Sequence, residues 1–225
     1  MFKYLLLTAL LCFISYLYYV KVSHGLGHKA EFLQLRRFLP CALLAVAPAA
    51  TAQIQLTNSL LLTSMAVGIS WIITYPLLYW NTYHKNSTDF GFHFDTVFGL
   101  YIIGWLTALK IIVLNFNIFP ITFLIILTTV EFLILLIPIS QWIFYFLYKS
   151  CIDENSMMML QETHYNEILE FFKSFSIPAN LLIFVIPTSV YGIFIYLNID
   201  ASVSTSISIN IYQLITLLAI VAFLT

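Results

Sequence analysis

Two long, predominantly apolar stretches, Val97 to Asn117 and Phe119 to about Tyr148, dominate the sequence. A helix needs about 20 apolar residues to cross a hydrocarbon core about 30 Å thick. Each stretch reaches that length, and the short turn between them forces an antiparallel hairpin. Pro120 suits the first turn of the second helix, where a missing N–H costs nothing. The rest of the chain follows the same pattern. Its residues are 61% hydrophobic and 8% charged, against roughly 25% charged in a water-soluble domain. A soluble fold is excluded.

Further spans are predicted over residues 4–20, 57–80, 179–197 and 207–225, with a weaker one over 39–56. Span 57–80 closes on Trp71, Tyr75, Tyr79 and Trp80, rings that settle at headgroup level. Residues 39–56 contain Pro40, Pro48, Gln53 and Gln55, which suit an interfacial or re-entrant segment as well as a crossing. The amino-terminal run is longer than a signal-peptide core and ends in Tyr18-Tyr19-Val20-Lys21 without a small-residue cleavage site, so it reads as a retained helix. Alternating segments of about 10 residues, the mark of a β-barrel, are absent from the sequence. The predicted fold is one all-α domain over 1–225, a polytopic transmembrane helical bundle of six or seven spans.

Charge excludes some functions and leaves orientation in tension. The net charge is −1 and the nine Lys and Arg are scattered, which gives no footprint for nucleic acid. If every run crosses, loops 21–38, 81–96 and 149–178 share one side with seven of the nine basic residues. Basic loops favour the cytoplasm. If 39–56 does not cross, the basic 21–38 loop stays cytoplasmic and 149–178 moves outside. The sequence favours this six-span count. Cys12, Cys41 and Cys151 lack C-x-x-C spacing and read as buried thiols.

Lys110 and Glu131 sit deep in the two hairpin spans, where an ionisable group costs several kcal/mol unless paired or solvated. Counted from the turn, their depths differ by about 7–8 Å at ~1.5 Å per residue. Long side chains close that gap, so the two are expected to form an intramembrane ion pair. The pair is structural or marks a proton or ion path. His24 and His28 lack the Glu of an H-E-x-x-H zinc pattern. No metal site and no catalytic residue is assigned.

Residues 150–178 break the apolar pattern. Asp153 or Ser156 is a candidate helix cap and Pro178 a stop. At 100° per residue, Thr163, Asn166, Glu167, Glu170 and Ser174 fall on one face, with Met157, Met158, Tyr165, Ile168, Leu169, Phe172 and Phe175 opposite. Such a helix, over about 154–175, lies in the membrane surface.

From Phe144 the sequence runs F-Y-F-L-Y-K-S-C-I-D-E-N-S-M-M-M-L-Q-E-T-H-Y-N-E-I-L-E-F-F. It resembles the bacterial phosphoethanolamine transferases that modify lipid A and lipopolysaccharide core. In that family a span ending in aromatics precedes a periplasmic interfacial helix carrying Asn, Thr and Glu at four-residue intervals. Thr163 and Glu167 match; Met159 stands where the family has Asn, with Asn166 a neighbouring substitute. The resemblance covers about residues 140–225. It implies phosphatidylethanolamine as donor, a lipid A or core sugar as acceptor, and residence in the bacterial inner membrane. Thr163, Glu167, Asn166 and Glu170 would be the substrate-binding residues. The zinc ligands and nucleophilic threonine would belong to a periplasmic catalytic domain encoded downstream, so this chain has no cofactor of its own and is inactive alone. Alternative readings are a small transporter or channel built on Lys110 and Glu131, and a non-catalytic accessory subunit.

Overall fold

In hydrocarbon a backbone must satisfy its own polar groups, and a helix does so within one segment. The computed structural model of the chain describes residues 2–25, 35–83, 92–116, 120–152, 177–204 and 209–224. They form α1 (Phe2–Gly25), α2 (Leu35–Thr51), α3 (Ser59–Tyr83), α4 (Phe92–Phe116), α5 (Pro120–Tyr148), α6 (Ile177–Ser204) and α7 (Ile211–Leu224). Among the described residues there is no strand. Four stretches, Ser59–Leu78, Phe94–Asn115, Ile121–Tyr148 and Ile183–Asp200, are long and apolar enough to cross a membrane. Shorter apolar stretches lie in the other three helices, at Phe2–Leu17, Phe38–Thr51 and Ile211–Ala222. The described residues form an all-helical bundle, four of whose helices are long and apolar enough to span a membrane.

Hydrogen bonds between helix ends fix which ends meet. The Tyr4 hydroxyl donates to the Ile54 carbonyl at 2.7 Å, so the start of α1 lies beside the chain leaving α2. Asn58 caps α3, its Oδ1 accepting from Leu60 N–H at 2.9 Å. Asn210 and Gln213 form the start of α7. The Asn210 N–H donates to Gln213 Oε1 at 2.9 Å, the backward half of a capping box. The amide nitrogen of Gln213 donates to the Thr51 carbonyl at 2.8 Å, and the Ile209 N–H to Asn115 Oδ1 at 3.2 Å. The starts of α1, α3 and α7 and the ends of α2 and α4 therefore share one end of the bundle, here the capped end. Thr82 beside Cys151 brings the ends of α3 and α5 together at the other, open end.

α2 is the element the sequence describes least well. Its 17 residues span about 25 Å at ~1.5 Å per residue, despite Pro40 and Pro48 within it. Thr51 Oγ1 bonds the Pro48 carbonyl at 2.8 Å in its last turn. The chain then leaves through Gln53 in the left-handed region (φ 54°), with Ile54 N–H reaching back to the Ala49 carbonyl at 3.0 Å. That is the 6→1 bond of a Schellman cap. Phe38, Cys41, Ala42, Ala45, Val46 and Ala49 are buried against α1 and α4, and Cys12 of α1 lies in the same cluster. The small alanines let the helices approach closely. A methyl on Gly104 of α4 would come within 2.7 Å of the Leu44 carbonyl, so the middle of α2 lies against the middle of α4. α2 thus packs lengthwise in the bundle.

α3 and α4 form the centre. Without a hydrophobic force between helices in lipid, close contact depends on small residues. Gly68 and Gly99 meet across this pair, each backbone occupying the space a side chain on the other would need. The apolar stretch of α4 is 61% buried within the bundle and that of α6 only 11%, which places α6 at the periphery. Its outer face carries Phe184, Val185, Ile186, Ile193 and Tyr196, all exposed. That face suits lipid.

Candidate functional site

The centre of the bundle, toward the capped end, holds a cluster of polar side chains from four helices. Lys110 of α4 and Glu131 of α5 are in direct ion-pair contact, and both side chains are fully buried. The Lys110 ammonium also donates to Thr63 Oγ1 at 2.7 Å, to Ser64 Oγ at 3.2 Å and to the Leu60 carbonyl at 3.2 Å, all from the first turns of α3. Its three protons therefore face four acceptors. The Ser64 hydroxyl donates to Glu131 Oε1 at 3.2 Å. The other carboxylate oxygen accepts from the Asn198 amide of α6 at 3.1 Å. That same amide donates to Thr128 Oγ1 at 3.0 Å, and Thr63 lies 3.2 Å from the Asn198 carbonyl oxygen.

Each side chain is present for a local reason. Thr63, Ser64 and Thr128 return bonds to carbonyls one turn earlier in their own helices, at 2.7–3.2 Å, which lets a hydroxyl sit in an apolar helix without an orphaned polar group. Asn198 is an amide, so it donates to the carboxylate and accepts from a hydroxyl at once. Removing two charges from water costs several kcal/mol each, and attraction offsets this only when the remaining lone pairs and protons are bonded. Here they are.

A second polar cluster lies near the open end. The Tyr75 hydroxyl of α3 is hydrogen-bonded with the Gln141 amide of α5 and lies within electrostatic reach of Asp95 and Cys151. Gln141 Oε1 accepts from the Ile152 N–H at 3.1 Å, so Gln141 ties the bundle to the last residue described before 153–176. The indole N–H of Trp71 donates to the Ile134 carbonyl at 3.2 Å, and that of Trp142 to Thr74 Oγ1 at 3.0 Å. Trp71 packs edge-on to Phe98 with centroids 4.8 Å apart, and Phe98 stacks with Phe94 at 6.1 Å. This is the aromatic belt that closes a span, with one acidic residue in it.

Of the residues picked out in the sequence, the structure brings Lys110 and Glu131 together. Thr163, Asn166, Glu167 and Glu170, with the helix expected over 154–175, lie outside the described residues, as does His28. Cys12 and Cys41 are buried and in no disulfide, and Cys151 is half-buried beside Thr82. Among the described residues no three His, Cys, Asp or Glu side chains gather in a way that would hold a metal ion.

Sequence reasoning missed Ser64, Thr63, Asn198 and Thr128, and also Tyr75, Asp95 and Gln141. A signal for the first group was present: Thr63-Ser64, Thr128 and Asn198 are polar positions within apolar runs, where each needs a partner. Compared with known protein families, curated proteins and solved structures, the chain matches none.

Proposed function

We propose that this chain is the membrane domain of a phosphoethanolamine transferase of the bacterial inner membrane, which holds phosphatidylethanolamine and a lipid A-type acceptor for a periplasmic catalytic domain. The observation that carries the reading is topological. α5 ends at the open end beside Thr82, and α6 returns to Asn198 at the level of Thr128 and Glu131 in the first half of α5. α7 then starts at the capped end, held by Thr51 and Asn115, and its Leu217 packs with Ala108, Ile111 and Ile112 of α4. The end of α5 and the start of α6 thus share the open end, and α7 runs from the capped end toward it. Segment 153–176 joins these two, and a chain continuing in the direction of α7 would bring a catalytic domain to the end where that segment gathers lipids.

On this reading all seven helices cross, α2 included, and the capped end faces the cytoplasm. The headgroup chemistry rests on Thr163, Asn166, Glu167 and Glu170. Carboxylates at the lipid surface pair with an ammonium, and a hydroxyl or amide bonds phosphate. The saturated Lys110–Glu131 cluster supports a structural lock over a transport path, since each charge is already matched inside the bundle.

The orientation is testable against the basic bias of loops 21–38, 81–96 and 149–178, which alone would place the open end inside. With Cys12, Cys41 and Cys151 replaced by Ala, Ser156→Cys is expected to react in intact cells, from the periplasmic side, with a thiol reagent that does not cross the inner membrane. Labelling only after cells are lysed puts segment 153–176 in the cytoplasm and ends the transferase reading.

The polar face is tested separately. Thr163→Ala and Glu167→Gln, made in the protein as the cell encodes it, are each expected to lower headgroup transfer by about tenfold or more, the cost of one hydrogen bond to a charged group. The measurement is the fraction of modified lipid A. Unchanged modification in both variants would remove these residues from the site.

A further inference from the structure

The prolines inside these helices are not all held alike. A proline lacks the N–H that would bond the carbonyl four residues earlier, so each one frees an acceptor. In α5, Pro138 frees the Ile134 carbonyl, and the Trp71 indole N–H of α3 takes its place at 3.2 Å. In α2, Pro48 frees the Leu44 carbonyl, which lies against Gly104 of α4, 2.7 Å from where a side chain there would begin. Both prolines are buried between neighbouring helices. Pro187 of α6 stands in other surroundings. It is half-buried, and the residues on its open-end side stand outside the core, with Ile183 half-buried and Phe184, Val185 and Ile186 exposed.

The side chains that tie α6 to the bundle lie beyond Pro187, toward the capped end. Val190 and the buried Phe194 pack in the cluster that holds Leu106 and Leu135. The Tyr191 hydroxyl is hydrogen-bonded with Thr129 Oγ1 at 3.0 Å, and its ring centroid is 4.8 Å from that of Phe132. The Asn198 amide is fixed on Glu131 at 3.1 Å. At the join between the free and the anchored halves, Thr188 Oγ1 donates to the Phe184 carbonyl at 2.7 Å and lies 3.1 Å from that of Val185. Such a back-bond bends a helix, and a proline beside it makes the same place a kink.

We infer that α6 is hinged at Pro187. Residues 177–186 form an arm that swings against the open-end half of α5, while the half from Val190 onward stays fixed. A change of about 20° in the bend carries the start of an arm about 15 Å long sideways by about 5 Å. The register set by Thr129 with Tyr191 and Glu131 with Asn198 puts the arm opposite the part of α5 where Ile137 and Phe146 are exposed. The swing therefore opens and closes a lateral crevice between α5 and α6 at the open end. The hinge is a property of the bundle and does not rest on headgroup transfer.

The test is electron–electron distance measurement between spin labels on the full chain in lipid nanodiscs, with Cys12, Cys41 and Cys151 replaced by Ala. One labelled pair, Phe13→Cys with Ala179→Cys, joins α1 to the arm. A second, Phe13→Cys with Ile193→Cys, joins α1 to the anchored half at two exposed positions. The distance distribution of the arm pair is expected to be broader than that of the anchored pair by about 5 Å. Pro187→Leu restores the missing N–H and is expected to narrow the arm pair to the width of the anchored one, whose own distance stays unchanged. Where Leu shifts the anchored distance, Pro187→Ala gives the same reading with a smaller side chain. An arm pair as narrow as the anchored pair, or one whose width survives replacement of Pro187, overturns the hinge.

Discussion

Replacing Lys110 by Met is expected to destabilise the folded bundle by about 3–5 kcal/mol, and replacing Glu131 by Leu by a similar amount, because each leaves an uncompensated charge where no water reaches. The double variant Lys110→Met/Glu131→Leu is expected to recover most of that loss. The physical reason lies in the two carboxylate oxygens. One faces Lys110 and the Ser64 hydroxyl, the other the Asn198 amide. Without Lys110, two neutral donors remain for a full charge. Without Glu131, the ammonium keeps Thr63, Ser64 and the Leu60 carbonyl but no negative partner. Removing both charges leaves Ser64, Thr63, Thr128 and Asn198 able to bond one another or their own helices. Unfolding of the purified chain in mixed detergent, followed by tryptophan fluorescence, measures the cycle. Single variants that cost less than about 1 kcal/mol, the scale of an exposed pair, would mean that water enters the cluster.

The second large effect is steric. Gly99→Val and Gly68→Val are each expected to cost about 3 kcal/mol, the upper end for overpacking a close-packed site. A Cβ on Gly99 would stand 2.5 Å from the Gly68 carbonyl oxygen and 2.8 Å from Ile72 Cγ1. The first obstacle is backbone, which no rotamer change moves aside. The helices must separate, and α3 then carries Thr63 and Ser64 away from Lys110 of α4. Disruption of the glycine contact and of the ion-pair cluster should therefore be coupled, and the combined Gly99→Val/Lys110→Met loss should fall short of the sum. Gly192→Ala is the internal control. Nothing lies within 4 Å of the added methyl, and Ala favours the helix, so unchanged or slightly raised stability is expected. Thermal inactivation of detergent-solubilised protein distinguishes the three variants.

Much of this architecture was legible because hydrocarbon leaves a chain few choices. Lys110 and Glu131 could be set facing each other from the register of one hairpin, since depth along a helix is residue count times rise. The rest of their shell was not readable in that way. Ser64 and Asn198 come from helices 67 residues to either side of Glu131 in the chain, and no periodicity within a span says which neighbours it will have. α2 was obscured by Pro40, Pro48, Gln53 and Gln55. Three of the four serve its end: Gln53 takes the left-handed position just after the helix, Pro48 accepts the bond from Thr51, and Gln55 accepts from the Asn58 N–H in the turn to α3.

The open-end cluster was hidden for a different reason. Tyr75 read as one more interfacial ring and Asp95 as part of a polar loop, and α4 begins at Phe92, five residues before the predicted span. Those extra residues carry Asp95 onto a helix beside Tyr75. A window chosen for apolarity trims away the polar turn that begins a helix, and here that turn holds Asp95.

The proposed role is headgroup transfer by a protein whose membrane part is this chain. The direct measurement is mass spectrometry of lipid A and core from cells with the intact gene, from cells lacking it, and from cells carrying the Thr163→Ala/Glu167→Gln protein. The prediction is a species heavier by one phosphoethanolamine that disappears with the gene and is strongly reduced in the double variant. The same lipid profile with and without the gene would contradict it.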